Sequence, residues 1–157
     1  IGWDEVLEGT ESLGLPKDLI VMSWRGVAGG IEASKRGHEV IMCPNTDGCY
    51  FDYQHTDDEE EMGNLGVSSI TQVAQFDPLA GLQGEMDRGR VLGSQGNLWT
   101  EKITSGRQAE YMLFPRLMVL AERLWNPQEP EKTLDRIPLL YKVCDALSIN
   151  CYRGPLA

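Results

Sequence analysis

Short apolar runs that flank a helical segment constrain the fold of this chain most strongly. Residues 19–22 and 39–43 each form a brief, partly β-branched apolar run, which is typical of a buried parallel strand. Between them, residues 31–36 are good helix formers and stop at Gly37, a residue type that suits the position after a helix end. This strand–helix–strand order predicts parallel β/α units rather than a sandwich or a helix bundle.

The remainder of the chain extends this pattern. Residues 90–99 predict a third strand, whose glycines suit close approach of the backbone to a ligand or a neighbour. Apolar residues recur at helical spacing over 113–124 and again over 134–147, which predicts two long amphipathic helices. Pro115 is expected to start or kink the first of them, and Pro130 suits the start of the second.

Composition excludes several classes of partner. The chain has 157 residues, the size of one domain, and its 14 basic and 24 acidic residues give a formal net charge of −10. This charge opposes binding to nucleic acid or to an anionic membrane surface. The sequence has no apolar stretch that approaches the roughly 18–20 residues needed to cross a bilayer. We therefore expect no nucleic-acid partner and no membrane partner.

Three local features predict structure rather than chemistry. Residues 54–90 are interpreted as loops around one or two short helices, with the acidic run 57–61 as a solvated loop because it lacks the ligand spacing of a calcium site. Trp125 is expected to belong to the first long helix and to be buried in the core of the protein. The two histidines, His38 and His55, are interpreted as structural and as surface residues, so no metal site is predicted.

The four cysteines leave two interpretations open. They stand at positions 43, 49, 144 and 151, and neither close pair has the CxxC spacing of zinc or redox motifs. Buried free thiols are the first interpretation. Pairing of 43 with 49, or of 144 with 151, is the second if the compartment is oxidising, and Cα separations decide between them.

Large aromatic residues and carboxylates mark the candidate site. Aromatic faces pack on sugar C–H bonds and carboxylates accept hydrogen bonds from sugar hydroxyls, so this combination indicates a carbohydrate site. Its predicted members are Trp3, Trp24, Tyr50, Asp52, Trp99 and Glu101. The alternatives are core tryptophans, a solvated loop at 50–52, and an acid that assists a helix start at 101.

The predicted strands place these residues at the same face of the sheet. They fall at or just after the carboxyl ends of strands, which is the face where β/α barrels build their active sites. A complete eight-unit barrel takes about 250 residues, so this chain has room for only about half of one. The chain also begins at Ile1 without a methionine or a leader, and we expect it to be part of a longer protein.

At these residues the sequence resembles the C-terminal half of the catalytic barrel of family 20 glycoside hydrolases, the β-N-acetylhexosaminidases. The resemblance covers nearly the whole chain as an ordered set of motifs. They include Gly2-Trp3-Asp4-Glu5, Ser23-Trp24-Arg25-Gly26, the Gly37-His38 step, Tyr50-Phe51-Asp52-Tyr53, Gln95-Gly96-Asn97-Leu98-Trp99-Thr100-Glu101, the segment from Glu110 to Leu117 and the segment from Ile149 to Arg153.

The resemblance implies an α/β fold of (β/α)8 TIM-barrel type, with residues 1–157 covering about strands 5/6 to 8 and the following helices. It implies that the three tryptophans line the pocket for a terminal N-acetylhexosamine, with Trp99 as the platform under the ring. Tyr50 would hydrogen-bond the acetamido carbonyl oxygen and so orient it. Asp52 and Glu101 would bind the ring-distal hydroxyls. The family mechanism is substrate-assisted retention, in which the 2-acetamido oxygen attacks the anomeric carbon.

One element of the family pattern is absent from this sequence. The acid and its aspartate partner belong to a His-x-Gly-Gly-Asp-Glu segment on an earlier strand, and these 157 residues contain no such segment. Asp4-Glu5 is a substitute in type, but in the family this step lies on the following strand and its acids are structural or peripheral. We therefore predict a sugar-binding wall without a general acid, and negligible hydrolysis by the chain alone.

Two functions follow from the resemblance. The first is part of a β-N-acetylhexosaminidase that removes terminal non-reducing residues from N-acetylhexosamine-containing glycans or chitooligosaccharides, with no cofactor. The alternative is an inactive half-barrel that binds N-acetylhexosamine or associates with another subunit. An open half-barrel flank would expose strand edges and apolar surface, which favours self-association. A periplasmic, secreted or lysosomal parent enzyme is expected, and the sequence does not choose among them.

Overall fold

The computed structural model describes residues 1–8, 14–55, 66–126 and 129–156. The chain divides into two compact units. The first unit combines Ile1–Thr46 with Asp77–Gln95, and the second combines Asp47–Phe76 with Gly96–Ala157. The acidic run at 57–61, predicted as a solvated loop, lies outside the described residues.

The first unit is built on a parallel sheet of four strands. These are β1 (Gly2–Trp3), β2 (Ile20–Ser23), β3 (Glu39–Met42) and β4 (Val91–Ser94), in the spatial order β1-β2-β3-β4. Every neighbouring pair is parallel, as the alternation of strand and helix predicts. The β3–β4 register shifts between Val40 and Ile41, and Val21, Val40 and Met42 are fully buried on the covered face.

Helix α1 (Ala28–Lys35) covers this sheet and begins earlier than predicted. Its first turn contains Gly30, where an added Cβ would lie 2.6 Å from the Met42 sulfur and 3.0 Å from a methyl of Val40. The glycine therefore allows the helix to approach the strands, so it belongs to the helix rather than to the preceding loop. The helix ends as predicted, with Gly37 at a φ of +93°. A short helix, α3 (Glu85–Arg88), completes this unit.

The second unit is mainly helical among the described residues. Helix α2 (Ile70–Gln75) begins at a capping box in which the Ser69 side chain accepts from the Gln72 backbone N–H and the Gln72 side chain accepts from the Ser69 N–H. The other helices are α4 (Gly106–Leu113), α5 (Arg116–Trp125), α6 (Pro130–Leu134) and α7 (Ile137–Ala146). Outside the helices and strands, 3-10 turns cover Asp4–Leu7 and Asn45–Asp47. The prediction of one or two short helices within 54–90 is confirmed by α2 and α3.

The two long helices predicted from the sequence are each divided. Helices α4 and α5 are separate because Pro115, which has no N–H to donate, stands at the N-cap of α5. The second predicted helix is divided between α6 and α7, and Pro130 begins α6 as expected. The buried positions of α5 are Arg116, Val119 and Leu120, so of the apolar residues predicted to face inward Leu120 does so, whereas Leu117 and Ala121 are exposed. Trp125 is 89% exposed at the end of α5, so its assignment to the core was wrong.

Strand β4 is shorter than predicted. Of the predicted strand over 90–99, only β4 forms, after which Asn97 makes an isolated parallel bridge with Tyr50.

The cysteines follow the first of their two interpretations, since all four are buried free thiols in this structure. Burial, together with a hydrogen bond to Cys144, raises the pKa of the Cys151 thiol to about 12. None of the described helices is long and apolar enough to cross a bilayer.

Candidate functional site

In the first unit, two of the predicted site residues stand at neighbouring strand ends. Trp3 closes β1, and Trp24 directly follows β2, which pairs with β1 in parallel. Both tryptophans are partly exposed. The prediction that these two residues lie at or just after strand ends is therefore confirmed. Because the carboxyl ends of parallel strands meet at one edge of a sheet, both residues lie at the same edge.

Trp24 is held by a carboxylate from the turn after β1. Its indole Nε1–H donates to both carboxylate oxygens of Glu5, at 2.9 and 3.0 Å. Burial acts to raise the pKa of Glu5, but hydrogen bonds from its own backbone N–H and from the Trp24 side chain outweigh that, and the pKa is lowered. Glu5 is exposed, and its negatively charged carboxylate accepts this hydrogen bond.

The neighbouring Asp4 forms a second link between the same two segments. Its Oδ1 accepts from Arg25 Nε at 2.8 Å, and Arg25 also pairs with Glu8. The Asp4 side chain is only 3% exposed, and burial raises its pKa against the lowering effect of the Arg25 hydrogen bonds. Adjacent residues Asp4 and Glu5 thus bind adjacent residues Arg25 and Trp24.

This geometry argues against Asp4-Glu5 as an acid pair. A general acid needs a raised pKa and access to the leaving group. Asp4 has the raised pKa but is buried against Arg25, whereas Glu5 is accessible but has its pKa lowered. Neither carboxyl meets both requirements.

In the second unit, Tyr50 and Trp99 are in contact. Their ring centroids are 6.3 Å apart with an interplanar angle of 59°, a tilted aromatic pair. The side chain of Trp99 is 51% exposed, while that of Tyr50 is only 4% exposed. A half-exposed indole beside a buried tyrosine is an arrangement in which an apolar ring face and a polar tip can meet one ligand.

A short backbone ladder produces this pairing. Tyr50 and Asn97 form the parallel bridge, in which Phe51 N–H donates to the Asn97 carbonyl at 2.8 Å and Asn97 N–H donates to the Cys49 carbonyl at 2.7 Å. The sequence predicted Tyr50 and Trp99 at strand ends, but β3 ends at Met42 and β4 at Ser94. Tyr50 and Trp99 therefore lie several residues beyond the ends of these strands, and the isolated bridge, rather than a strand, positions them.

A buried arginine fixes the segment that carries Asp52. Arg116 of α5 is fully buried, and its guanidinium donates at 2.8 Å to the backbone carbonyls of Asp52 and Ser68. It also donates to the Met112 carbonyl and lies 5.1 Å from the centroid of the Phe51 ring. Sequence reasoning missed this residue; its signal is a basic residue at helical spacing from the buried Val119 and Leu120.

The other predicted carboxylates are accessible. Asp52 is partly exposed two positions after Tyr50, and Glu101 is exposed in a turn two positions after Trp99. The second unit therefore brings Tyr50 and Trp99 together, with the two carboxylates close in sequence to them. The sequence also missed the link between Glu5 and Trp24, for which only the acidic step after Trp3 was a signal.

The cavity found in the first unit is separate from these residues. It has a volume of about 530 Å³ and lies at the amino ends of β2 and β3, the ends opposite to Trp24. Its lining residues are Gly14, Leu15, Lys17, Arg36, Gly37 and His38. Among the described residues, no cluster of three or more histidine, cysteine or acidic side chains is arranged to hold a metal ion.

Comparison with known proteins identifies relatives along most of the chain. The family model of the glycosyl hydrolase family 20 catalytic domain matches residues 1–128. A β-hexosaminidase of Porphyromonas gingivalis is 38% identical over 152 residues, which are 96% of this chain and 19% of that protein. The chain therefore spans about a fifth of the length of this relative.

Solved structures agree with this match. The family 20 exo-β-N-acetylglucosaminidase of Vibrio harveyi, in complex with N-acetylglucosamine, superposes with a TM-score of 0.83 and 25% identity over 97% of this chain and 24% of that one. The β-N-acetylhexosaminidase of Streptomyces coelicolor gives a TM-score of 0.79 and 26% identity over 99% of this chain and 33% of that one. With the parallel sheet and its helices, these likenesses confirm the predicted α/β fold of TIM-barrel type.

Proposed function

Because the chain belongs to glycosyl hydrolase family 20, we propose that it supplies the sugar-contacting residues of a β-N-acetylhexosaminidase. The substrate class is a glycan or chitooligosaccharide with a terminal non-reducing N-acetylhexosamine. The observation that carries the proposal is the Tyr50–Trp99 pair, in which a half-exposed indole face lies beside a tyrosine. The relatives named β-hexosaminidase and the solved complex with N-acetylglucosamine support the same substrate class.

We propose that residues 1–157 are the C-terminal part of the catalytic domain. Four parallel strands and the helices that follow them are about half of a (β/α)8 barrel, which takes about 250 residues when complete. The general acid and its aspartate partner would come from the rest of that barrel. Asp4 and Glu5 are engaged with Arg25 and Trp24, which supports an acid from outside this chain.

In the second unit, the proposed roles follow from exposure. The exposed part of the Trp99 indole packs against the C–H surface of the sugar ring, where an aromatic contact contributes about 0.5–1.5 kcal/mol beyond the burial of apolar area. Asp52 and Glu101 accept hydrogen bonds from ring-distal hydroxyls, each contributing about 1.5–3 kcal/mol as a charged acceptor. Arg116 holds the Asp52 backbone, so that carboxylate is presented from a fixed position.

In the first unit, Trp3 and Trp24 would contact the same class of sugar. Both are partly exposed at the carboxyl ends of strands, the end at which barrel enzymes bind substrate. Apolar walls exclude water from the reacting bond, which strengthens the electrostatic interactions there.

The proposed mechanism is substrate-assisted retention. The acetamido oxygen of the substrate attacks the anomeric carbon while an enzyme acid protonates the leaving oxygen, and water later opens the oxazolinium intermediate. Tyr50 would act by donating its hydroxyl hydrogen to the acetamido carbonyl oxygen, which orients that oxygen for attack. This chain would thus contribute orientation and binding, and proton transfer would come from elsewhere.

The test is hydrolysis of a fluorogenic N-acetyl-β-D-glucosaminide by the full-length enzyme, meaning the protein that carries this chain with the rest of its barrel. Glu101→Gln should lower kcat/KM about 10- to 100-fold, because a charged acceptor becomes neutral. Glu129→Gln, an exposed acid next to α6, is the matched control and should change nothing.

The outcomes separate the two functions. Hydrolysis that is sensitive to Glu101→Gln and inhibited by N-acetylglucosamine thiazoline supports the enzyme. Saturable binding of the thiazoline without turnover by the full-length protein would instead support an inactive sugar-binding barrel. An unchanged kcat/KM for Glu101→Gln would remove that residue from the site.

A further inference from the structure

The bond between Glu5 and Trp24 has a geometry that fixes an aromatic ring. Trp24 carries one hydrogen-bond donor on its indole, and a carboxylate only accepts. Here both oxygens of Glu5 face that single N–H, at 2.9 and 3.0 Å. Rotation of the indole about its side-chain torsions would break both contacts, so this carboxylate restrains the plane of the ring.

The backbone of Glu5 is itself anchored. The 3-10 turn Asp4–Leu7 begins directly after β1, and its first residue is buried against Arg25, the residue that follows Trp24. An added Cβ on Gly29 of α1 would lie 2.7 Å from Asp4, so the helix packs closely on this side chain. Glu5 therefore acts from a position that the sheet, the helix and an ion pair all hold.

The charge of Glu5 suits this role better than proton transfer. Its side chain is exposed, and its pKa is lowered rather than raised, so it remains a carboxylate at neutral pH. A charged acceptor forms a stronger hydrogen bond than a neutral one. The carboxylate thus stays bound to the indole N–H instead of exchanging protons with a substrate.

We propose that Glu5 is a positioning residue that sets the plane of the Trp24 indole for packing against the bound sugar. This inference rests on the proposed function, since it requires that Trp24 contacts the substrate. Glu5 would act on binding through Trp24 alone, without touching the reacting atoms.

The experiment is a double-mutant cycle in the full-length enzyme with the fluorogenic glucosaminide. Glu5→Ala should raise KM about 3- to 10-fold with little change in kcat, since the lost interaction serves ground state and transition state alike. Glu5→Gln, which keeps one acceptor oxygen but loses the charge, should recover only part of the loss. In a Trp24→Phe background, which lacks the N–H, Glu5→Ala should have no further effect.

Controls separate the ways in which this inference fails. Glu85→Ala, an exposed acid in α3 of the same unit, should leave KM unchanged. If Trp24→Ala leaves kcat/KM unchanged, the role of Trp24 in the proposed function is wrong. If Trp24→Ala is impaired but Glu5→Ala is not, or if Glu5→Ala is equally harmful in the Trp24→Phe background, the positioning role alone is wrong. Glu5→Gln and Trp24→Phe keep the test valid if Glu5→Ala does not fold.

Discussion

The two units of the chain hold their aromatic side chains in different ways. In the first unit, side chains bind side chains: Glu5 holds Trp24 and Asp4 holds Arg25 at the end of a regular parallel sheet. In the second unit, the backbone does this work, through the Tyr50–Asn97 bridge and the carbonyls that a buried arginine holds.

The two units should therefore respond differently to substitution. Exposed ion pairs such as Arg25–Glu8 contribute about 0–1 kcal/mol, so changes there should alter orientation more than stability. A buried cation is different, because its removal leaves carbonyls without donors at a cost of about 1–3 kcal/mol each. We therefore expect the first unit to respond in function and the second in both function and folding.

The largest effect is expected from Arg116→Met in the second unit. This change keeps the length of the side chain but removes the donors to Asp52 and Ser68, and it should lower the free energy of unfolding by about 3–5 kcal/mol. Denaturant unfolding of the full-length protein measures it. Arg107→Met, whose side chain is 67% exposed, should cost less than about 1 kcal/mol. Equal losses for both variants would contradict the comparison.

The next effect is on activity and uses two tryptophans of the second unit. Trp99→Ala should reduce kcat/KM about 30- to 150-fold, from the loss of about 2–3 kcal/mol of aromatic contact with the sugar. Trp125→Ala is the control, since Trp125 is 89% exposed at the end of α5. Steady-state hydrolysis of the fluorogenic glucosaminide measures both. A comparable loss for Trp125→Ala would show that the assay reports general damage.

A smaller effect comes from paired glycines, one in each unit. Gly30→Ala in α1 would place a methyl 2.6 Å from the Met42 sulfur, and we expect a net loss of about 1 kcal/mol after the better helix propensity of alanine. Gly106→Ala at the start of α4 meets nothing within 4 Å and should be neutral or stabilising. Thermal unfolding measures both, and a stabilised Gly30→Ala would contradict the expected loss and mean that the flexible end of the Met42 side chain shifts to make room for the methyl.

The smallest effect is the pH dependence of the Glu5 bond. The pKa of Glu5 is lowered in the folded protein, so its contribution is present above the unfolded value of about 4.3 and is lost as pH falls through the folded value. The Tm of the wild type minus the Tm of Glu5→Gln should therefore fall as pH falls from 5 towards 3. If this signed difference instead rises in acid, the pKa of Glu5 is raised in the folded protein.

Most of the first unit was predictable from sequence because each element carries a local signal. The apolar runs that form β2 and β3 are bounded by polar or glycine-rich segments, and Gly37 marks the end of α1. The early start of α1 was not predictable, because Gly29 and Gly30 locally favour a loop. Its presence in the helix depends on packing against Met42, which is a tertiary contact.

The second unit was harder to predict for the same reason. The expectation that Pro115 starts or kinks the helix is confirmed, since α5 begins directly after it, and Leu120 is buried as predicted. Periodicity did not predict that Arg116 occupies the buried side as well. A buried arginine is rare, so hydrophobic patterns assign it to the surface. Trp125 was misplaced by the opposite error, since a large aromatic side chain was assumed to be buried.

The candidate site could be predicted as a set of residues but not as an arrangement. The six residues came from residue type, strand ends and the family resemblance. Their partners were not predictable, because Glu5 and Trp24 are far apart in sequence, as are Asp52 and Arg116. Their roles toward a sugar stay predictions until the variants described above are measured.

The most direct test compares hydrolysis of the fluorogenic N-acetyl-β-D-glucosaminide by the full-length enzyme and by this 157-residue chain alone. We predict turnover by the full-length enzyme and none by the chain, because in our proposal the chain contributes sugar contacts and the acid comes from the rest of the barrel. Turnover by the chain alone, abolished by Asp4→Asn or Glu5→Gln, would place the acid pair within the chain and contradict the proposal that the acid comes from outside it.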